Sequence, residues 1–351
     1  MRWPGRAAYR VDPSEFHWGS PGSPGRQSRA TGAPSNDDVE GLAIGKSRFT
    51  RSVSDQCLAA LKEDPLFQDY LLPDIAKGDV FPAVRYDDMV DFYHAGGRLF
   101  QYRNREFNTH TNYLLTQRNP HCPYLTELHV SDLKRIGFFA DEYEHIKGRA
   151  HQGLSRGRGR VERGLVGQIC SGFRQLMKVD TSSAVQVVPL DVEVAFRKGQ
   201  SESGAKRIDL VLLNLRSGRL RFCEVKRGDS TDLDEPPTGK PKVANQLNRY
   251  RDQVHDNNEQ IPREYSNHLA ILQSLLPMSL PPHPKLEVDP TWPIFLLVLG
   301  EPGDEKLRDK LRSRHLERYP CLVRSDAASI DLAELWDEVD LWPGAAGRAG
   351  L

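Results

Sequence analysis

The chain has 351 residues, of which 38% are hydrophobic, and its formal net charge is zero. This composition is typical of a globular protein and excludes a disordered or fibrous one. The length allows one large domain or two modest ones, each with a real core.

Cysteine usage and the N-terminus predict a cytoplasmic protein. The five cysteines are scattered and form no Cys-x-x-Cys pair, so neither a disulfide framework nor a cysteine-rich metal site is expected. No apolar segment follows the basic start, which predicts that no signal peptide is present. The longest strongly apolar run, Ile294–Leu299, is far too short to span a bilayer, so no membrane partner is expected.

The sequence divides into three regions by composition. Residues 1–45 are rich in Gly, Pro and Arg and show no helical or strand period, which predicts a disordered arm. Residues 46–150 are predicted to be a helix-rich accessory region that could bind a protein partner. Residues 151–345 carry an alternating pattern of helices and strands.

Two helices are predicted in the accessory region. The first begins at Ser54, a suitable N-cap, and ends at Pro65. The second covers residues 85–96, with the sequence RYDDMVDFYHAG, and closes at two glycines.

Residues 157–300 predict an α/β fold. A helix with apolar residues at helical spacing is followed by the β-rich stretch AVQVVPLDVEVAF, a hairpin, a helix and the apolar strand PIFLLVLG. The resulting order is helix, three strands, helix and strand. We therefore expect a sheet with a three-stranded meander, flanked by helices.

The hairpin RIDLVLLNLRSGRLRFCEVKRG carries charges where a buried strand is expected. Residues two apart in a strand face the same side, so Glu224 and Lys226 continue the face that begins with the apolar Phe222. Antiparallel pairing about the turn at 217–218 places Asp209 beside them. The sequence thus predicts two carboxylates and a lysine at one end of the hairpin.

Neighbouring carboxylates repel each other unless a positive charge lies between them. A hard divalent cation such as Mg²⁺ suits oxygen ligands and keeps positions for water and for a substrate phosphate. A lysine beside that metal can orient or deprotonate water, or stabilise charge on phosphorus. The pattern favours metal-assisted phosphodiester hydrolysis; the alternative is an ordinary charge patch on an exposed hairpin end.

Residues on two helices add to this interpretation. Glu162 is the charged first step of an otherwise apolar helix face, where it could reach the metal or simply stabilise the helix N-terminus. Gln246 and Tyr250 are four residues apart and share a helix face. They could face the site or the phosphate backbone, or Gln246 could be solvated beside a core stripe.

These motifs together resemble those of the PD-(D/E)xK nuclease superfamily. The residues that carry the resemblance are, in chain order, Glu162, Asp209, Glu224-Val225-Lys226 and Gln246-x-x-x-Tyr250. The last step is similar to the RecB-type exonuclease branch. The resemblance covers residues 157–300, less than half the chain, and Ile208 stands where the superfamily name has proline.

The resemblance implies a restriction-endonuclease-like core in the order αβββαβ, a Mg²⁺ or Mn²⁺ ion, and cleavage of DNA or sometimes RNA. It makes Asp209 and Glu224 metal ligands, with the Val225 carbonyl as a backbone ligand. Lys226 would position the attacking water, and Glu162 would be an outer ligand. The Gln-x-x-x-Tyr pair would support the site or contact substrate.

A short basic run precedes the first helix. Arg156, Arg158 and Arg160 flank Glu162 and are candidates for binding nucleic-acid phosphates. The alternative is a flexible, solvated hinge.

Two functions of different class fit the sequence. The first is a metal-dependent nuclease acting on nucleic acid, with DNA favoured. The second is a catalytically inactive nucleic-acid-binding or scaffolding protein with the same fold. Convergence of Asp209, Glu224 and Lys226 around a metal position would favour the first, whereas a salt bridge filling that position would favour the second.

Overall fold

The computed structural model describes residues 49–94, 97–110, 127–129, 143–149, 158–178, 186–196, 207–236, 239–278, 280, 284–312 and 315–343. The arm predicted over residues 1–45 lies outside these ranges. The described α-helices are α1 (Asp55–Glu63), α2 (Leu72–Lys77), α3 (143–149), α4 (Arg158–Cys170), α5 (Lys242–Asp256), α6 (Gln260–Leu275), α7 (Glu305–Leu311) and α8 (Leu332–Asp340).

The described strands form two sheets. The N-terminal sheet runs antiparallel in the order β1 (Phe81–Val84), β2 (Val90–His94), β3 (Gly97–Arg103), β4 (Glu106–His110) and β5 (Glu127–His129). The main sheet contains β6 (Val187–Val194), β7 (Ile208–Asn214), β8 (Arg219–Arg227), β9 (Glu287–Val288), β10 (Ile294–Leu299) and β11 (Cys321–Arg324). Its order is β11-β10-β8-β7-β6, with β9 also paired to β8.

The N-terminal region confirms one predicted helix and corrects the other. Ser54 caps α1 by accepting a hydrogen bond from the Cys57 amide, and α1 ends before Pro65. The helix predicted over residues 85–96 is wrong. Asp87 and Asp88 take positive φ values of 54° and 57°, which makes a hairpin turn into strand β2. The region is therefore not helix-rich; much of its described part is an antiparallel sheet.

The main sheet confirms the mixed α/β class. Strands β6, β7 and β8 form an antiparallel meander, and β10 then pairs parallel to β8. A parallel pair needs a long crossover, which α5 and α6 supply. The predicted order of helix, three strands, helix and strand is present, with α6 and β9 as additions.

The two sheets share one hydrophobic core. Strand β1 contacts β6, and the ring of Phe49 stacks on that of Phe196 at a centroid distance of 5.0 Å. The predicted boundary near residue 150 falls outside the described residues and stays a prediction. Within the described ranges, no helix is long and apolar enough to cross a membrane.

The β7–β8 turn depends on Gly218, and we expect Gly218→Ala to lower the free energy of unfolding by about 2 kcal/mol. Gly218 has φ +72°, and an added Cβ would lie 2.8 Å from the Lys285 carbonyl oxygen. Urea denaturation measures the loss. Gly303→Ala is the matched control, because no described atom lies within 4 Å of its added Cβ; equal losses in both variants would contradict the argument.

Candidate functional site

The register of the β7–β8 hairpin places the two acidic residues side by side. The antiparallel pairing runs as far as Leu210 and Cys223, and Asp209 and Glu224 are the next residues outward on the two strands. Asp209 Oδ2 also accepts a hydrogen bond of 2.9 Å from the Val225 amide. The predicted position of Asp209 beside the Glu224–Lys226 end is therefore confirmed.

Lys226 links the end of the hairpin to helix α4. Its side chain is buried, and its Nζ lies 2.5 Å from Glu224 Oε1. The same Nζ lies 3.6 Å from Glu162 Oε2, which α4 supplies. Glu162 thus reaches the hairpin end from the helix.

One oxygen of the Glu224 carboxylate has no hydrogen bond from the part of the chain that the structure describes. The residue is 1% exposed, and within the described residues Oε2 has no hydrogen bond of normal geometry, although the Asp209 carboxyl and the Tyr250 hydroxyl lie close to the Glu224 carboxylate. Buried polar atoms in folded proteins nearly always have a partner, so an unpaired carboxylate oxygen needs an explanation. A bound cation or an ordered water would supply one.

The pKa shifts of the site residues indicate that Lys226 alone does not neutralise the buried acids. Burial raises the pKa of Asp209 well above its ordinary value; Glu224 adds to the shift and Lys226 opposes it. Burial also raises the pKa of Glu224, against the opposing effect of Lys226. Burial by itself lowers the pKa of Lys226, but the carboxylates of Glu224, Asp209 and Glu162 outweigh it and raise that pKa.

Tyr250 and Gln246 differ in their burial and in their hydrogen bonds. Tyr250 is 1% exposed, and its hydroxyl donates a 2.8 Å hydrogen bond to the Arg207 carbonyl. Burial raises the Tyr250 pKa, and the carboxylates of Glu224 and Asp209 raise it further, so the phenol lies close to both. Gln246 is half-buried; within the described structure its Oε1 has no donor, and it makes no described contact with the acids.

The predicted basic run is described only in part. Arg156 lies outside the described residues. Arg158 and Arg160 belong to the first turn of α4, but their side chains also lie outside the description. Their role as phosphate-binding residues stays a prediction.

Sequence reasoning missed an acid beside the site. Glu193 on β6 has a positive φ of 51°, which is strained for a residue with a side chain. Its carboxylate lies 3.4 Å from Arg207 and 3.7 Å from Arg163, and it adds to the rise in the Asp209 pKa. A charged residue inside the apolar strand VVPLDVEVAF was the available signal.

The donor set fits a hard divalent cation. Asp209 and Glu224 supply carboxylate oxygens, and Val225, which directly follows Glu224, supplies a carbonyl oxygen that accepts a 3.3 Å hydrogen bond from Lys226. No ready-made group of three acidic, histidine or cysteine ligands occurs among the residues described. Mg²⁺ needs less than that, since it is commonly held by one or two carboxylates with waters and a substrate phosphate.

Comparisons with known proteins do not assign the chain. No family model matches it, and no curated protein or solved structure does either.

We expect Asp209→Asn to raise the melting temperature in EDTA by about 2–4 °C, the shift that ~1 kcal/mol produces. The unfolded carboxyl ionises above about pH 4, whereas burial raises the pKa of Asp209 in the folded state. Ionisation therefore favours unfolding of the wild type, and the gain from Asp209→Asn grows as pH rises from about 4 toward the raised pKa. The gain disappears as pH falls below about 4, where the unfolded carboxyl is also protonated. Thermal melts across pH measure it.

The control is Asp229→Asn, which changes a 62% exposed side chain paired to Arg227. It removes the same charge and leaves the melting temperature nearly unchanged. A lower melting temperature for Asp209→Asn at neutral pH would show that the charge of Asp209 does not destabilise the fold.

Proposed function

We propose that this protein is a metal-dependent nuclease that hydrolyses phosphodiester bonds, with DNA as the favoured substrate. One observation carries the proposal. Asp209, Glu224 and Lys226 meet at the end of the β7–β8 hairpin, where a buried carboxylate oxygen of Glu224 has no partner in the described structure. The meander followed by a parallel strand supports a restriction-endonuclease-like core.

The residues take separate roles in this proposal. Asp209, Glu224 and the Val225 carbonyl would hold Mg²⁺ or Mn²⁺, with Glu162 as an outer acid. A bound divalent ion would supply Lewis acidity that activates water and offsets charge on the phosphate. Lys226 keeps its proton at neutral pH, because three carboxylates raise its pKa; it therefore donates hydrogen bonds to water or to a phosphate oxygen rather than acting as a base.

Tyr250 and Gln246 would support the site from α5. The Tyr250 hydroxyl fixes the chain just before Asp209 through the Arg207 carbonyl. Its raised pKa keeps it neutral, so it contributes a hydrogen bond and not a charge. We also propose that the protein acts in the cytoplasm and that residues 46–150 offer a surface for a protein partner.

A second candidate is a nucleic-acid-binding or scaffolding protein without turnover. The ion pair between Lys226 Nζ and Glu224 Oε1, at 2.5 Å, favours it, because the ammonium already neutralises one oxygen of a proposed metal ligand. The unpaired Oε2 and the raised pKa values of both acids show that one ammonium does not satisfy the cluster.

The proposal is tested by incubating the purified protein with labelled single- and double-stranded DNA and RNA. Each polymer is presented with Mg²⁺, with Mn²⁺ and with EDTA. We expect cleavage of at least one polymer with metal and none with EDTA. Metal-independent binding without cleavage in any condition would replace the nuclease by the second candidate.

A further inference from the structure

A cleft of about 240 Å³ lies beside the candidate site. Residues of β2 and β3 form one side, and residues at the ends of β6 and β7 form the other. The arginines that line it are Arg51, Arg85, Arg98, Arg103 and Arg207. Asp91 and Glu193 also line it. We call it the arginine cleft.

The arginine cleft has a fixed floor. Arg51 and Arg85 are buried, and Asp191 beneath them accepts hydrogen bonds of 2.7 Å and 2.9 Å from their guanidinium groups. Asp191 is 0% exposed, so this floor is held by the core. Because these two arginines are buried and fixed by Asp191, a ligand must be held mainly by the more exposed arginines, of which Arg98 lies 3.6 Å from Asp91 and Arg207 lies 3.4 Å from Glu193.

The outer arginines face solvent. The side chains of Arg98 and Arg207 are 38% and 58% exposed, and Arg103 is exposed at the end of β3. In the described structure Arg103 makes no ion pair. A guanidinium presents a planar fork of donors that matches phosphate oxygens, so an exposed set beside a cleft suits a phosphodiester chain.

The arginine cleft opens next to the candidate site. Arg207 lies two residues before Asp209, and its carbonyl accepts the Tyr250 hydroxyl. Glu193 borders both: it lines the cleft and its carboxylate lies 3.4 Å from Arg207. A strand lying in the cleft would therefore continue toward Asp209.

The size and lining favour a single strand. The volume is below the ~300–1,000 Å³ of pockets that hold drug-sized molecules, so the cleft takes in only part of one strand. Tyr86 also lines the cleft, and an aromatic side chain beside a positively charged groove is a platform on which unpaired bases stack.

We propose that the arginine cleft binds the sugar–phosphate backbone of a single nucleic-acid strand entering the candidate site, which makes the N-terminal sheet a wall of the substrate path. This inference rests on the proposed function. Glu193 competes with the phosphates for Arg207 and Arg163, so removing its charge strengthens binding.

The test measures binding in EDTA, where cleavage plays no part. Fluorescence anisotropy follows a short labelled single-stranded oligonucleotide and the matching duplex over a salt series. The double variant Arg103→Gln/Arg207→Gln is compared with Arg251→Gln/Arg312→Gln. The control removes two exposed arginines outside the cleft lining. Thermal melts confirm that every variant is folded.

We expect the cleft variant to bind the single strand about 10-fold more weakly, and its salt slope to fall by about 1.4, the value for two lost phosphate contacts. The control stays near wild type, and Glu193→Gln binds about threefold tighter. Equal weakening of single-strand binding in both double variants would overturn the proposal that the strand binds in the arginine cleft. Tighter binding of the duplex than of the single strand would also overturn it. So would displacement of the labelled strand by polyglutamate as readily as by the unlabelled strand.

The two proposals fail separately. Loss of binding in the cleft variant, with no cleavage by wild type in any metal, would retain the cleft and reject the nuclease. Metal-dependent cleavage with unchanged binding in the cleft variant would retain the nuclease and reject the cleft.

Discussion

Lys226→Ala is expected to slow metal-dependent cleavage by about 10²–10³-fold, the usual cost of removing one preorganised group that stabilises charge in the transition state. The Lys226 ammonium is buried among Glu224, Glu162 and Asp209, and it retains its proton there. Alanine removes the only cation that the described structure places within ion-pair distance of Glu224. Single-turnover cleavage rates at saturating protein measure the loss.

The matched control is Lys242→Ala, which removes a 74% exposed lysine on α5 that lies 3.7 Å from Asp232. This variant should cleave at the wild-type rate. Lys226→Arg tests geometry, since it keeps the charge but not the compact ammonium, and it should remain impaired. Wild-type rates in a folded Lys226→Ala variant would remove Lys226 from the mechanism.

Asp191→Asn is expected to lower the free energy of unfolding by about 3–5 kcal/mol, the cost of breaking a buried ion pair from one side. Asp191 accepts hydrogen bonds from Arg51 and Arg85, and from the Tyr265 hydroxyl at 3.2 Å. Within the described residues Arg51 has no other carboxylate paired to its guanidinium, so its buried charge loses compensation. Urea denaturation measures the change.

The pH dependence of this loss follows from the Asp191 pKa. Burial alone raises that pKa, but Arg51 and Arg85 outweigh it and lower it from 3.8 to about 2. A depressed pKa stabilises the fold above the unfolded value and loses that effect as pH falls from about 4 to 2. The difference between wild type and Asp191→Asn should therefore shrink by about 2 kcal/mol over that range.

The control for this prediction is Asp252→Asn, a 67% exposed acid beside Arg251. It should leave the unfolding free energy nearly unchanged. A loss below about 1 kcal/mol for Asp191→Asn would show that the paired arginines contribute little to stability.

The β7–β8 hairpin was predictable because its pairing depends on residues that are close together in the chain. The turn at 217–218 and the roughly equal lengths of the two arms place Asp209 beside the Glu224–Lys226 end from the sequence alone. The shared helix face of Gln246 and Tyr250, which are four residues apart, was predictable for the same reason. These features depend on residues close in the chain, where pattern and structure agree.

Features that depend on distant residues were not predictable. The 85–96 segment places its apolar residues at spacings that fit either a helix or a strand, and pairing with β1 and β3 decides the outcome. Asp191 meets Arg51 from 140 positions away. Glu193 reaches the site only because β6 pairs with β7 and its backbone takes a positive φ.

The most direct test of the candidate site is to measure Mn²⁺ binding to the purified protein without substrate, by calorimetry and by the Mn²⁺ resonance signal. The wild type should bind Mn²⁺ with release of protons, because the pKa values of Asp209 and Glu224 are raised and both must ionise. Asp209→Asn and Glu224→Gln should abolish that binding, while Asp229→Asn should retain it. A folded wild type that binds no Mn²⁺, or variants that bind it as well, would contradict a metal site at the end of the hairpin.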